Sequence, residues 1–135
     1  MERFLGPYSS YIYALLRIVA GLLFLMHGTQ KIFGWPLKLP MPVDTMTTAI
    51  GVFEIIAGVM IMIGLFASIF AFISSGLLAV GYFMVHQPTG TWPIQNGGEP
   101  AVLLCFIFLY IAARGSGSLS VDAIRRGNVA VAADV

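Results

Sequence analysis

A chain of 135 residues and 14.6 kDa has the length of one domain. Only 10% of it is charged, 59% is hydrophobic and its mean hydropathy is +0.92, where soluble domains carry about 25% charged and about 45–50% apolar residues. So short a chain cannot bury that much apolar surface in one core, which excludes a soluble globular domain, and the scarcity of charge excludes disorder. A net charge of +1 gives no electrostatic footing for nucleic acid. Cys105 is the sole cysteine, so an internal disulfide, a CxxC redox pair and a thiolate metal cluster are excluded. An integral membrane protein in contact with the lipid bilayer is what remains.

A membrane span needs roughly 20 mostly apolar residues. Residues 1–10 carry both Glu2 and Arg3 and are followed by no AxA site, which speaks against a cleaved signal peptide. The first span is expected at 11–33, apolar except for Arg17, His27, Gln30 and Lys31, and is ended by Gly34-Trp35-Pro36. From Met46 to His86 the chain is almost continuously apolar, with Glu54 its only formal charge; that is two spans, 46–65 and 67–86, divided near Gly64–Ser68. A turn-rich loop over 87–98 leads to a fourth, shorter segment at 99–114. Gly115–Ser118 breaks the chain again, and Ser120 is placed to cap a short interfacial helix reaching Arg126, with the last residues of 115–135 frayed. The expected fold is an all-α, up-and-down bundle of four transmembrane helices with a short C-terminal interfacial helix.

With four spans both termini share one side, together with Arg3, Arg114, Arg125 and Arg126, against Lys31 and Lys38 on the other. This distribution predicts cytoplasmic termini, and Trp35 and Trp92 then fall in the two outer loops.

That topology gathers His27, Gln30, Lys31, Glu54, His86, Gln87, Asn96 and Glu99 at the outer end. Ionisable groups at membrane depth are costly, so they turn inward and pair. Helical spacing predicts inward stripes of Arg17, Gly21, Phe24, Gly28 and Lys31 on the first span and of Gly51, Glu54 and Gly58 on the second. The third stripe is Ser75, Ala79, Tyr82 and His86, and the fourth is Glu99, Leu103, Phe106 and Tyr110. Every member also has a plain structural role open to it. Glu54 can pair with Lys31 or Arg17 to specify packing, Arg17 can snorkel to the inner interface, Glu99 suits a helix first turn, and either histidine can be a hydrogen-bonded bundle residue.

The stretch LLRIVAGLLFLMHGTQKIFGWP resembles the start of the DoxX family of small four-helix membrane proteins, in which an arginine and a glycine-spaced apolar run lead to HG-x-x-K-x-x-G. The matching positions are Arg17, Gly21, His27, Gly28, Lys31 and Gly34. Glu54 ahead of Gly64-Leu65, His86 closing the third span, NGGEP at Asn96–Pro100 and G-x-G-x-x-S-x-D at Gly115–Asp122 continue the likeness over residues 10–126. A departure is Phe66-Ala67-Ser68, where many members place a basic residue. The resemblance implies a redox-associated protein of the bacterial plasma (inner) membrane, working with a protein partner in a redox complex, with some members similar to a subunit of a thiosulfate:quinone oxidoreductase.

On that footing Glu54, His86 and Lys31 are the candidate reactive groups, with His27, Tyr82, Phe24, Arg17 and Glu99 as candidate cofactor-binding residues. Quinone is the cofactor this set suits best, since its carbonyls need hydrogen-bond donors and a titratable group in an apolar slot. A non-enzymatic adaptor or chaperone for redox or secreted partners is the competing function. A haem or metal site through His27 and His86 ranks third, because no HxxxH or ExxH spacing accompanies them. Homo-oligomerisation is compatible with all three.

Overall fold

The structure, a computed structural model, describes residues 1–133, and those in regular elements are helical. After a helical turn at Glu2–Leu5 and a 3-10 turn at Gly6–Tyr8 come α1 (Ser9–Phe33), α2 (Thr45–Ile63), α3 (Ala67–Gly81), α4 (Glu99–Arg114) and α5 (Val121–Ala133). Residues 134 and 135, within the tail expected to fray, lie outside the described residues. Three stretches are long and apolar enough to cross a membrane: Glu2–Phe33, Thr45–Ile63 and Ala67–Thr89. Helix α4 has 16 residues, a rise of about 24 Å against about 30 Å of hydrocarbon.

Each helix stops for a local reason. Gly34 turns left-handed at φ 64° and donates its N–H to the Gln30 carbonyl, ending α1. Helix α2 starts after Asp44, whose carboxylate accepts the Thr47 N–H at 2.8 Å. That hydrogen bond holds the Asp44 carboxyl below its ordinary pKa. A lowered folded pKa means that the cap contributes above the unfolded carboxylate range and is lost as pH falls through the folded value. The reversal between α2 and α3 is made by Gly64 at φ 70° and Phe66 at φ 50°, a conformation rarely tolerated by a bulky residue. Asp122 fixes it by accepting the Phe66 N–H at 2.8 Å.

The helices pack as two close pairs, α1 with α2 and α3 with α4, joined mainly through α2 against α3. Glycines make the first pair close: a Cβ on Gly28 would lie 2.6 Å from the Gly51 carbonyl, and one on Gly21 2.8 Å from that of Gly58. The second pair is tied by hydroxyls, Ser75 donating to the Cys105 carbonyl and Ser68 to that of Ala112, each at 2.8 Å. Phe24 sits fully buried at the centre, its ring edge-on to Phe108 with centroids 5.0 Å apart, surrounded by Ala57, Ile61, Ala71, Leu104 and Ile111. Around this core large apolar side chains such as Leu15, Ile56, Ile69, Phe72 and Phe83 point outward, as a lipid-facing surface requires.

The face of α4 differs from the sequence pattern. Leu103 and Phe106 are each 65% exposed and Tyr110 is 47% exposed, while Leu104, Phe108 and Ile111 are buried. Between Glu99 and Tyr110 the side chains of both stripes are apolar, and hydropathy does not separate a lipid-facing side chain from a core one.

The end of the bundle at which α1 begins is closed by the tail. Arg17, fully buried, donates to the backbone carbonyls of Ser116 and Leu119, with that of Met62 at 3.4 Å, and Tyr13 donates its hydroxyl to Gly115 O. Gly117 lies against the Tyr13 ring, the guanidinium of Arg114 stacks over its face at 4.3 Å, and Ser116 Oγ donates to Asp122 at 2.6 Å. Ser120 caps α5 by accepting the Ala123 N–H, and the helix continues past Arg126 to Ala133. Arg17→Ala would strand these carbonyls at a cost of about 3 kcal/mol, lowering the thermal midpoint in detergent and opening residues 115–126 to protease. Arg17→Lys recovers only part of the loss, because an ammonium lacks the planar fork that reaches separate carbonyls.

Candidate functional site

The glycine-mediated approach of α1 and α2 carries Lys31, in the last turn of α1, onto Glu54, three turns into α2. Gly51 leaves room for the lysine stem, since a Cβ there would stand 2.9 Å from Lys31 Cβ. Lys31 Nζ donates to both Glu54 oxygens, at 2.7 and 3.0 Å, and the two side chains are only 20% and 7% exposed. A pair this buried has surrendered most of its hydration, so the bidentate contact is what makes either charge tolerable. The remaining ammonium donor has only a long contact, 3.5 Å, to the His27 carbonyl.

Across from this pair, α3 changes its winding. Over Tyr82–His86 it widens into a π-turn, with the Gln87 N–H reaching back to the Tyr82 carbonyl. Such turns insert a residue into the ladder and rotate the succeeding side chains, often at functional sites. Tyr82 and His86 lie stacked at 24° with ring centroids 6.1 Å apart. Asn96 organises both: its carbonyl meets His86 Nδ1 at 3.1 Å, and its Nδ2 donates to the Tyr82 hydroxyl at 3.1 Å and to Gly90 O at 2.9 Å. Gly98 donates to Asn96 Oδ1 at 2.8 Å and lies under the Tyr82 ring, where a Cβ would come within 2.5 Å of Tyr82 Cε2. A carbonyl only accepts, so in the neutral imidazole Nδ1 carries the proton and Nε2 is an acceptor. Tyr82 Oη accepts from Asn96, which leaves its own proton free to donate.

Between these two groups lies a partly open cavity of about 420 Å³. Its polar wall is His27, Gln30, Lys31, Glu54, Tyr82 and His86, and its apolar wall includes Ile50, Leu77, Leu78, Val85 and Leu104. Leu39 from the first loop closes one side. Gly81 lines it with open space where a Cβ would stand.

Not every residue singled out in the sequence meets here. Phe24 is in the core, packed on Phe53 and Phe108. Glu99 is exposed in the first turn of α4 and is not among the cavity-lining residues. Arg17, 14 residues and about 21 Å along α1 from Lys31, holds the tail. His27 lines the cavity from an exposed position at its rim. Among the described residues no group of three or more His, Cys, Asp or Glu is gathered to hold an ion, and Glu54 is committed to Lys31. The donor set does not supply the three or four convergent ligands that a metal ion needs.

Residues 12–87, with the ion pair, the paired glycines and the π-turn, match the DoxX family. The chain belongs to the DoxX family. An uncharacterized protein of Haemophilus influenzae is 36% identical over 125 residues, covering 87% of this chain and 93% of its own length. No solved structure matches the chain. Within this DoxX protein, the matched span supplies Lys31, Glu54, Tyr82 and His86, while Asn96 and Gly98 lie beyond it. Asn96, read from sequence as an outer-loop polar residue and as the start of the NGGEP turn, carries no sequence signal that it orients Tyr82 and His86.

Removing one member of the buried pair is the severe change. Lys31→Met should cost about 3–5 kcal/mol by leaving Glu54 unpaired, whereas Lys31→Met with Glu54→Leu should regain most of it. Equilibrium unfolding in detergent, run as a double-mutant cycle, checks this; additive losses would show that the pair is not coupled.

Proposed function

We propose that this DoxX protein is the quinone-binding membrane subunit of a redox complex, with the outer cavity as its headgroup site. The observation carrying this reading is the cavity's pairing of a short polar wall with an apolar one. Lys31 and the Tyr82 hydroxyl offer donors for a carbonyl oxygen, and His86 Nε2 offers an acceptor for the hydroxyl of the reduced form. Bound quinone would supply two-electron, two-proton chemistry. The chain's own part is to orient the ring and to present Glu54 and His86 for proton exchange. Its single cysteine and lack of an ion-binding cluster among the described residues leave electron delivery to a partner protein.

The accompanying architecture is a four-span, up-and-down bundle in the bacterial inner membrane, with α4 as its fourth span and both termini cytoplasmic. Glu99 and Arg114 bracket α4 at its two ends, so the apolar stretch between them crosses if those ends lie in the interfaces. Arg114, Arg125 and Arg126, exposed at the end closed by the tail, support the orientation.

Native mass spectrometry of protein extracted in mild detergent is the test. A quinone mass should be retained by the native protein, reduced at least about tenfold in His86→Ala with unchanged thermal unfolding, and reduced at least as far per folded molecule in Glu54→Gln, whose unpaired Lys31 also lowers the thermal midpoint. Retention equal to the native level in both variants would overturn the site. An apo chain that fails to bind added quinone and co-purifies with another protein would replace this function with that of an adaptor.

A further inference from the structure

The outer cavity does not end at the bundle interior. Beside it, between α3 and α4, runs an apolar groove of about 250 Å³. Leu78, Tyr82 and Ala101 line both spaces, so the two adjoin across a sill made of those side chains. Beyond the sill the groove is walled by Ala79, Phe83, Val102, Cys105 and Phe106, and it carries almost no polar surface. Phe83 and Phe106 are about two-thirds exposed, which places the groove's mouth on the outer, lipid-facing flank of the bundle. Small residues at 79 and 101 keep it open where larger ones would close the seam between the helices.

From this continuity we infer that the groove between α3 and α4 holds the apolar tail of the ligand whose head occupies the outer cavity, and that the ligand enters sideways from the membrane. The inference rests on the headgroup reading given above and adds the ligand's class to it: a polar-headed amphiphile with a long hydrocarbon or isoprenoid chain. A tail in the groove exchanges lipid contacts for protein contacts of similar polarity. Its benefit therefore comes from packing against Phe83 and Phe106 and from tethering the head near Lys31 and His86.

Two quinones of identical head, one without a tail and one with a decyl chain, separate the possibilities when titrated against the full-length protein at fixed detergent concentration. The native protein should bind the decyl form at least about tenfold more tightly. Ala79→Phe and Val102→Phe, which touch only the groove, should remove that advantage and leave binding of the tailless quinone unchanged. Gly81→Leu, which fills the head cavity at a helical position with free space, should weaken both. In the native protein the decyl form should also shield Cys105 from an apolar maleimide, and the tailless form should not, a measurement that needs no variant to fold. Equal affinity for the two quinones, equal weakening of both by the groove variants, or a Cys105 that labels at the same rate under both would overturn the tail groove while leaving the headgroup site standing. Failure of the native protein to bind either quinone would overturn both.

Discussion

The close contact of α1 and α2 at Gly28–Gly51 and Gly21–Gly58 is the constraint on which the other features depend. Helices in lipid gain little from burying apolar area against one another, so backbone proximity and polar contacts must hold them. Two glycine pairs bring the backbones together over about two turns. Lys31 consequently meets Glu54 at one end of the contact. At the other end Arg17 passes beside Gly64 and reaches the tail carbonyls, its guanidinium carbon 3.1 Å from where a Cβ on Gly64 would stand. A side chain at any of the four glycines would separate both ends at once.

The two ends use charge differently. At the end closed by the tail the positive charge of Arg17 is spread over backbone carbonyls of the reversal and the tail, with Asp122 engaged alongside by Phe66 and Ser116. Its polar groups turn to backbone carbonyls and to Asp122, beside open hollows lined by Phe66, Asp122, Arg125 and Arg126 and by Tyr13, Tyr110 and Arg114. At the outer end the charge is concentrated in one ion pair, and the neighbouring hydrogen bonds of Tyr82, His86 and Asn96 leave an acceptor and donors unspent beside open volume. Contacts directed to backbone carbonyls at one end, and side-chain groups with unused hydrogen-bonding capacity around the cavity at the other, are what distinguish a structural polar cluster from a candidate binding site in the same small bundle.

Much of this was legible in the amino-acid order, for identifiable reasons. Glu54 is the only formal charge in a 41-residue apolar run, so its partner had to come from another helix, and Lys31 shares a helical face with the glycines that permit the approach. The inner role of Arg17 was not legible, because its acceptors are backbone carbonyls about 100 residues away that carry no side-chain signature. The buried face of α4 was hidden because both of its stripes are apolar between Glu99 and Tyr110. The spacing of Ser75, Ala79, Tyr82 and His86 presupposes a regular ladder; the π-turn breaks it after Gly81, and Ala79 lines the groove with Cys105, Tyr82 lines both groove and cavity, and His86 lines the cavity. Asn96 acts through main-chain and side-chain atoms together, which residue type alone does not disclose.

The clamp between Arg17 and residues 116–119 joins segments separated by 99 and 102 positions. During synthesis the first span therefore enters the bilayer with a guanidinium whose acceptors do not yet exist, and an unsatisfied arginine at that depth favours sliding toward the interface. The span gains its final register only when the Gly115–Asp122 segment emerges and folds back onto it. Completion of the polypeptide is thereby coupled to the seating of its first helix, and with that helix the seating of Lys31 opposite Glu54. A nascent chain stopped before Gly115 would carry all four apolar segments and still lack the Ser116 and Leu119 carbonyls that seat its first helix.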